Sequence, residues 1–142
     1  MAPYIARRWV EFAHTDQAGM AHFSEFFRYM ESAEHELFRS LGLSVVQEWE
    51  GRRISWPRVS AAFDFEQPLR FEDEFELHLG IERMGESSIS WVVHVKRDGL
   101  HCGTGRCTTV CCDVTDHSSL ARMPIPSEIR TQLEVFHVEK EK

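Results

Sequence analysis

One long amphipathic helix followed by a run of period-two segments limits this chain to few folds. From Phe23 the apolar residues Phe26, Phe27, Met30, Ala33, Leu37, Phe38 and Leu41 recur at three- and four-residue steps, with Glu31, Glu34, His35 and Arg39 between them. That spacing predicts a helix of about five turns with a wide apolar stripe. Ser24 offers an N-cap oxygen, Glu25 puts negative charge in the first turn, and Gly42 supplies a left-handed residue to end it. Beyond Pro57 the period changes to two. Phe75, Leu77, Leu79 and Ile81 form one face of a segment, with Glu74, Glu76, His78 and Glu82 on the other. Ile89, Trp91, Val93 and Val95 repeat the pattern after a Gly85-Glu86-Ser87 turn, and Asp98-Gly99 joins that strand as a hairpin to one over Cys102 to Val114. Tyr4 to Phe12 and Val59 to Glu66 are further strand candidates, and Ser127 to Phe136 reads as a short helix after Pro124-Ile125-Pro126. Such an element order predicts an α+β fold in which an antiparallel sheet wraps its apolar face around one long central helix.

Size and charge narrow the function. The chain has 142 residues, 42% of them hydrophobic, enough for one core, so residues 1–142 are expected to form a single domain. No apolar run approaches the roughly 20 residues of a membrane span, which makes a cytoplasmic protein the expectation. A net charge of -7 argues against a nucleic-acid partner held by phosphate contacts. Cys102, Cys107, Cys111 and Cys112 form no Cys-x-x-Cys pair, and His101 beside them adds at most one ligand. Buried strand thiols are the expectation, with no metal and no cofactor.

The chemistry concentrates in one loop. His14-Thr15-Asp16-Gln17-Ala18-Gly19-Met20-Ala21-His22-Phe23 brings a carboxylate, two imidazoles and a glycine to a helix start, where unpaired backbone N–H groups carry partial positive charge. Asp16 beside such donors could attack a bound carbonyl or deprotonate a water. An Asp here is also an ordinary turn or cap residue, and His14 and His22 are ordinary loop residues, so the loop by itself leaves both readings open.

The run from Phe12 to Phe23, leading into Phe26-Phe27-Arg28-Tyr29-Met30-Glu31, resembles the signature of 4-hydroxybenzoyl-CoA thioesterase-like proteins, which are hotdog-fold acyl-CoA thioesterases. The resemblance implies a single hotdog domain and hydrolysis of an acyl-CoA thioester. It implies Asp16 as nucleophile or general base, the Phe23 N–H as oxyanion donor, Gly19 as the turn former, and Glu31 at the acidic position fifteen residues after the aspartate. It also implies subunits joined edge to edge as a homodimer or homotetramer, with sites between them. Arg83, Ser87 and Ser88 stand where some members hold the CoA nucleotide, although Glu86 among them would repel a phosphate. Arg52, Arg53 and Arg58 form another possible phosphate patch. Two alternatives remain beside hydrolysis: a hotdog hydratase or dehydratase using Asp16 and His22, and a non-catalytic acyl-thioester binding protein. The hydratases place four residues between Asp and His, whereas five stand here.

Overall fold

The structure is a computed structural model that describes residues 2–140. Strand β1 (Tyr4–Trp9) precedes helix α1 (Phe23–Ser40). After it come β2 (Val46–Trp49), β3 (Arg52–Ser55), β4 (Arg58–Phe65), β5 (Glu74–Met84), β6 (Ser88–Arg97) and β7 (Leu100–Val110). The chain ends with β8 (Cys112–Asp113), β9 (Ala121–Arg122) and helix α2 (Ser127–Leu133). All pairings between strands are antiparallel; the main sheet runs β1-β5-β6-β7-β4 and a smaller one β2-β3-β8-β9.

The alternating residues close the core as the pattern predicts. Phe75, Leu77, Leu79 and Ile81 of β5 and Ile89, Trp91, Val93 and Val95 of β6 are all buried. Helix α1 lies against β1, β4, β5 and β7, burying Phe26, Tyr29, Met30, Ala33, Leu37 and Phe38. Its close approach depends on Gly105 of β7, where a Cβ would lie 2.4 Å from Met30 Sδ, while a Cβ on Gly103 would meet the neighbouring strand β4, 2.6 Å from the backbone oxygen of Asp64. Methionine can yield but backbone cannot, so Gly103→Ala is expected to destabilise the fold by about 1–3 kcal/mol, read as a lower urea midpoint at unchanged m-value.

Several boundaries differ from the sequence reading, each for a local reason. The N-cap of α1 is His22, whose ring accepts from the Ser24 N–H, so Ser24 lies inside the first turn. Strand β1 stops at Trp9, and Glu11 nucleates a 3-10 turn over Phe12–His14 by capping it reciprocally with His14. The strand predicted through Val114 breaks at Cys111, whose N–H donates to Ser87 O at 2.7 Å, and continues as β8 in the smaller sheet. The β2–β3 hairpin carries no strong alternation and turns through Glu50 and Gly51, both at positive φ. Asp98 and Gly99 adopt φ of 51° and 77°, the primed hairpin turn that their sequence predicts. At the end of α1, Gly42 takes φ 74° and its N–H donates to Arg39 O.

Candidate active site

The loop between β1 and α1 is built by its own hydrogen bonds. Gly19 sits at φ 77°, a left-handed geometry that a side chain would strain, and its N–H donates to Asp16 O at 3.0 Å. The turn folds back so that the Asp16 N–H donates to Met20 O at 2.9 Å and the Ala21 N–H to Leu69 O at 2.7 Å. Asp16 Oδ1 then accepts from the N–H groups of Ala18 at 2.9 Å and Met20 at 3.3 Å. Both bonds fall on Oδ1, so Oδ2 has no protein donor among the described residues. The carboxylate is fixed by one oxygen and available through the other.

Asp16, His22 and Phe23 line one cavity of about 380 Å³ with Met20, Phe26, Phe65 and Glu66. Phe26 packs edge-on against Phe65 at 5.1 Å between ring centroids, giving the cavity an apolar wall. Phe23 opens α1, and its N–H has no acceptor among the described residues, as expected for the first helical position. His22 Nδ1 lies 2.8 Å from Ser24 Oγ and 3.3 Å from the Ser24 N–H that it accepts, which leaves the ring proton on Nε2. His14 is outside this cavity. Its Nδ1 accepts from the Glu11 N–H at 3.0 Å and meets the Tyr29 hydroxyl at 2.9 Å, while Nε2 faces Glu11 Oε2 at 3.2 Å. His14 thus braces the loop against the helix.

A carboxylate at the wall of a cavity beside a helix start fits acyl transfer to water, and comparison with known proteins points the same way. The sequence model of the thioesterase-like superfamily matches residues 10–133. The chain belongs to that superfamily. A protein of Aquifex aeolicus (strain VF5) with an esterase designation is 31% identical over 98 residues, 69% of this chain and 76% of its own. The 1,4-dihydroxy-2-naphthoyl-CoA hydrolase of Prochlorococcus marinus (strain MIT 9303) is 30% identical over 91 residues, 59% of this chain and 60% of that enzyme's length. Among solved structures, a gentisyl-coenzyme A thioesterase superposes with TM-score 0.80 at 25% identity, covering 92% of this chain and 99% of the other. The α+β architecture with an antiparallel sheet is therefore the hotdog fold of these thioesterases.

The other residues singled out from the sequence of this thioesterase-family chain lie elsewhere. Arg83 is exposed near the end of β5, and Ser87 and Ser88 form the turn into β6, where the Gly85 N–H donates to Ser88 O at 2.8 Å. On β6, Ser88 pairs with Val110 and Val95 with Gly103, the residue opposite Phe65; positions 88 and 95 are about 23 Å apart along the strand. Within one subunit the Arg83–Ser88 turn and the Asp16 cavity are thus at opposite ends of the sheet. Arg58 is no part of an exposed arginine patch with Arg52 and Arg53, because it points inward to Glu34. Glu31 is exposed and lines a second cavity, together with Glu34.

Glu34 is the functional candidate that sequence reading passed over in favour of Glu31. It is 4% exposed in mid-helix. Arg58 Nη2 reaches Oε2 at 2.7 Å and Nη1 reaches both oxygens at 3.1 Å, while the Cys107 thiol donates to Oε1 at 2.9 Å. Burial drives the Glu34 carboxyl up to about 7, against the pull of Arg58 in the other direction. The same burial, reinforced by Glu34, pushes the Cys107 thiol up, so this thiol is a donor and no nucleophile. All four cysteines are free and buried. The available signal was an acidic residue on the apolar stripe, three positions after Glu31, with an arginine opening a strand.

Proposed function

We propose that this chain is an acyl-CoA thioesterase acting as one hotdog domain within a homodimer or homotetramer, with Asp16 as its catalytic carboxylate. The single observation that carries the reading is the Asp16 carboxylate, tethered through Oδ1 with no donor to Oδ2 among the described residues, in the same cavity as the open Phe23 N–H. Asp16 Oδ2 either attacks the thioester carbonyl carbon or removes a proton from a water that does so. In both routes the carbonyl oxygen gains negative charge opposite the Phe23 N–H, where a donor of this kind is typically worth about 10²–10³ in rate. The C–S bond then breaks, the thiolate leaves and takes up a proton, and water supplies the second oxygen of the carboxylic acid, or restores to Asp16 the oxygen it gave up where an anhydride opens at the Asp16 carbonyl. That proton is the one Asp16 takes from water, directly in the base route or as water opens the acyl-Asp16 anhydride, and His22 Nε2–H is a hydrogen-bond donor at the cavity wall. Gly19 keeps the turn that aims Asp16.

Arg83, Ser87 and Ser88 are proposed to meet the CoA nucleotide from a neighbouring subunit. β4 is an edge of the main sheet, and antiparallel pairing with a second β4 would bring the far end of one sheet to the Asp16 end of the other. A cytoplasmic setting is consistent with free thiols, and no described helix is long and apolar enough to cross a membrane. The test is thiol release from aliphatic and aromatic acyl-CoAs, monitored with a thiol-trapping dye beside crotonyl-CoA hydration. Turnover of at least one acyl-CoA with no loss of enone absorbance is expected. Enone loss without thiol release would establish a hydratase; intact acyl-CoA that only raises Tm would establish a binding protein.

A further inference from the structure

The outer face of the main sheet carries a cluster of ring nitrogens that the chemistry at Asp16 does not use. His94 on β6 pairs across the ladder with Thr104 on β7, so both side chains rise from the same face. His101 joins them through an irregularity. Regular alternation from Thr104 would turn His101 toward the core, but the register shifts after Val95, and Cys102 is passed over between the pairs Val95–Gly103 and Lys96–His101. The bulge buries Cys102 and Gly103 in succession and brings His101 out beside Thr104. It also fixes a carboxylate. The Cys102 carbonyl accepts from the N–H groups of Glu66 at 2.9 Å and Gln67 at 3.0 Å, and the Glu66 carboxylate bonds His101 Nδ1.

Three donor atoms converge at this point. His94 Nδ1 lies 3.3 Å from His101 Nε2, and Thr104 Oγ1 lies 3.2 Å from the first and 3.1 Å from the second. Zinc–nitrogen bonds of about 2.0–2.1 Å at tetrahedral angles put neighbouring ligands about 3.3 Å apart, so this triangle has the dimensions of one face of a zinc tetrahedron. The carboxylate at His101 Nδ1 keeps the proton on that nitrogen and leaves Nε2 of the neutral ring with its lone pair turned to the other two atoms. An imidazole backed in this way by a carboxylate is oriented for a metal and made more basic. Charge agrees with that reading. Exposed Asp64 stands opposite Thr104 on β4, Glu66 adds a second negative charge, and Lys96 beside them faces Glu76 of β5. Among the described residues no group of three His, Cys, Asp or Glu side chains is placed to hold a metal, so Thr104 and solvent complete the two imidazoles as an open site. His94, His101 and Thr104 are half-buried, within reach of an ion from solvent.

We propose that His94, His101 and Thr104 form a binding site for a divalent transition-metal ion of the zinc class, with Glu66 as its outer carboxylate. Imidazole nitrogens select zinc, copper and nickel over magnesium and calcium. The four buried cysteines stay outside the site, because the bulge that exposes His101 turns its neighbour Cys102 inward. No step at Asp16 passes through it, so the site stands apart from the thioesterase reading.

The experiment titrates zinc chloride into the full chain by calorimetry, with two-bond ¹H–¹⁵N spectra of the histidine rings followed in parallel. Wild type is expected to take up one zinc ion per chain, with the largest shifts at Nδ1 of His94 and Nε2 of His101, and to take up no magnesium. His94→Asn and His101→Asn should each remove that binding, and Glu66→Gln should weaken it by about tenfold or more. His78→Asn serves as the control: His78 stands opposite His94 but is bonded to Glu76 at 3.2 Å, and zinc uptake should not change. The ring spectra of the wild type decide the matter without any substitution. No zinc uptake, shifts confined to other histidines, or uptake that survives both Asn variants would overturn the site. Unchanged affinity in Glu66→Gln would overturn the role given to that carboxylate.

Discussion

Asp16→Asn is expected to lower thioester hydrolysis by on the order of 10³ or more while leaving the protein folded. The amide keeps an oxygen in the Oδ1 position, so the bonds from the Ala18 and Met20 N–H groups, and with them the turn through Gly19, survive the substitution. Lost is the charged Oδ2, which has no donor among the described residues and is the proposed base or nucleophile. A positioned general base contributes about 10²–10⁴, and removal of a nucleophile costs at least as much. Because Asp16 is exposed, Tm should move by no more than about 2 °C. Single-turnover hydrolysis in ¹⁸O-labelled water tests for the covalent route: label entering Asp16 marks an anhydride that water opens at the Asp16 carbonyl, whereas label confined to the product acid fits water activation or opening at the acyl carbonyl. Activity within tenfold of wild type would sink the assignment of Asp16.

How far the sequence discloses this arrangement depends on how local the determinants are. Helix α1 begins at Phe23 and ends within one residue of the predicted Leu41, because an apolar stripe, a first-turn Glu25 and Gly42 all lie in the sequence itself. The two central strands and the Asp98-Gly99 turn are similarly local. The cap is not: Ser24 as cap would accept from the N–H of Phe26 or Phe27, but Ser24 is already helical, while His22 takes the extended geometry of an N-cap residue and its ring accepts from the Ser24 N–H. The hairpin of β2 and β3 lacks alternation since, of these two strands, Ile54 alone is buried. For the site, Asp16, Gly19, His22 and Phe23 are contiguous, and their common cavity was legible as one loop. Glu34 and Arg58 stand 24 positions apart, and only the fold shows that the strand opened by Arg58 crosses the buried face of the helix. Read singly, one was a polar interruption and the other a surface charge.

That buried pair sets the second large expectation. Arg58→Met is expected to destabilise the protein by about 3 kcal/mol at pH 8 and by less than about 1 kcal/mol at pH 5, measured by urea denaturation. The sign follows from Glu34. Its carboxyl rises from the ordinary 4.5 to about 7 in the fold, so its contribution is fully present below pH 4.5 and is lost as pH climbs through 7. Arg58 opposes that rise; without it the carboxyl shifts further up and the folded state must keep it neutral against an increasingly alkaline solvent. At pH 5 Glu34 is protonated in both proteins, and the variant loses only hydrogen bonds. Breaking a buried pair from one side leaves an uncompensated group, whereas removing both partners leaves none, so Glu34→Met with Arg58→Met should return to within about 1 kcal/mol of wild type and show a flatter pH profile. A pH-independent loss in the single variant would mean that Arg58 acts through packing of its aliphatic stem, and the charge argument would fall.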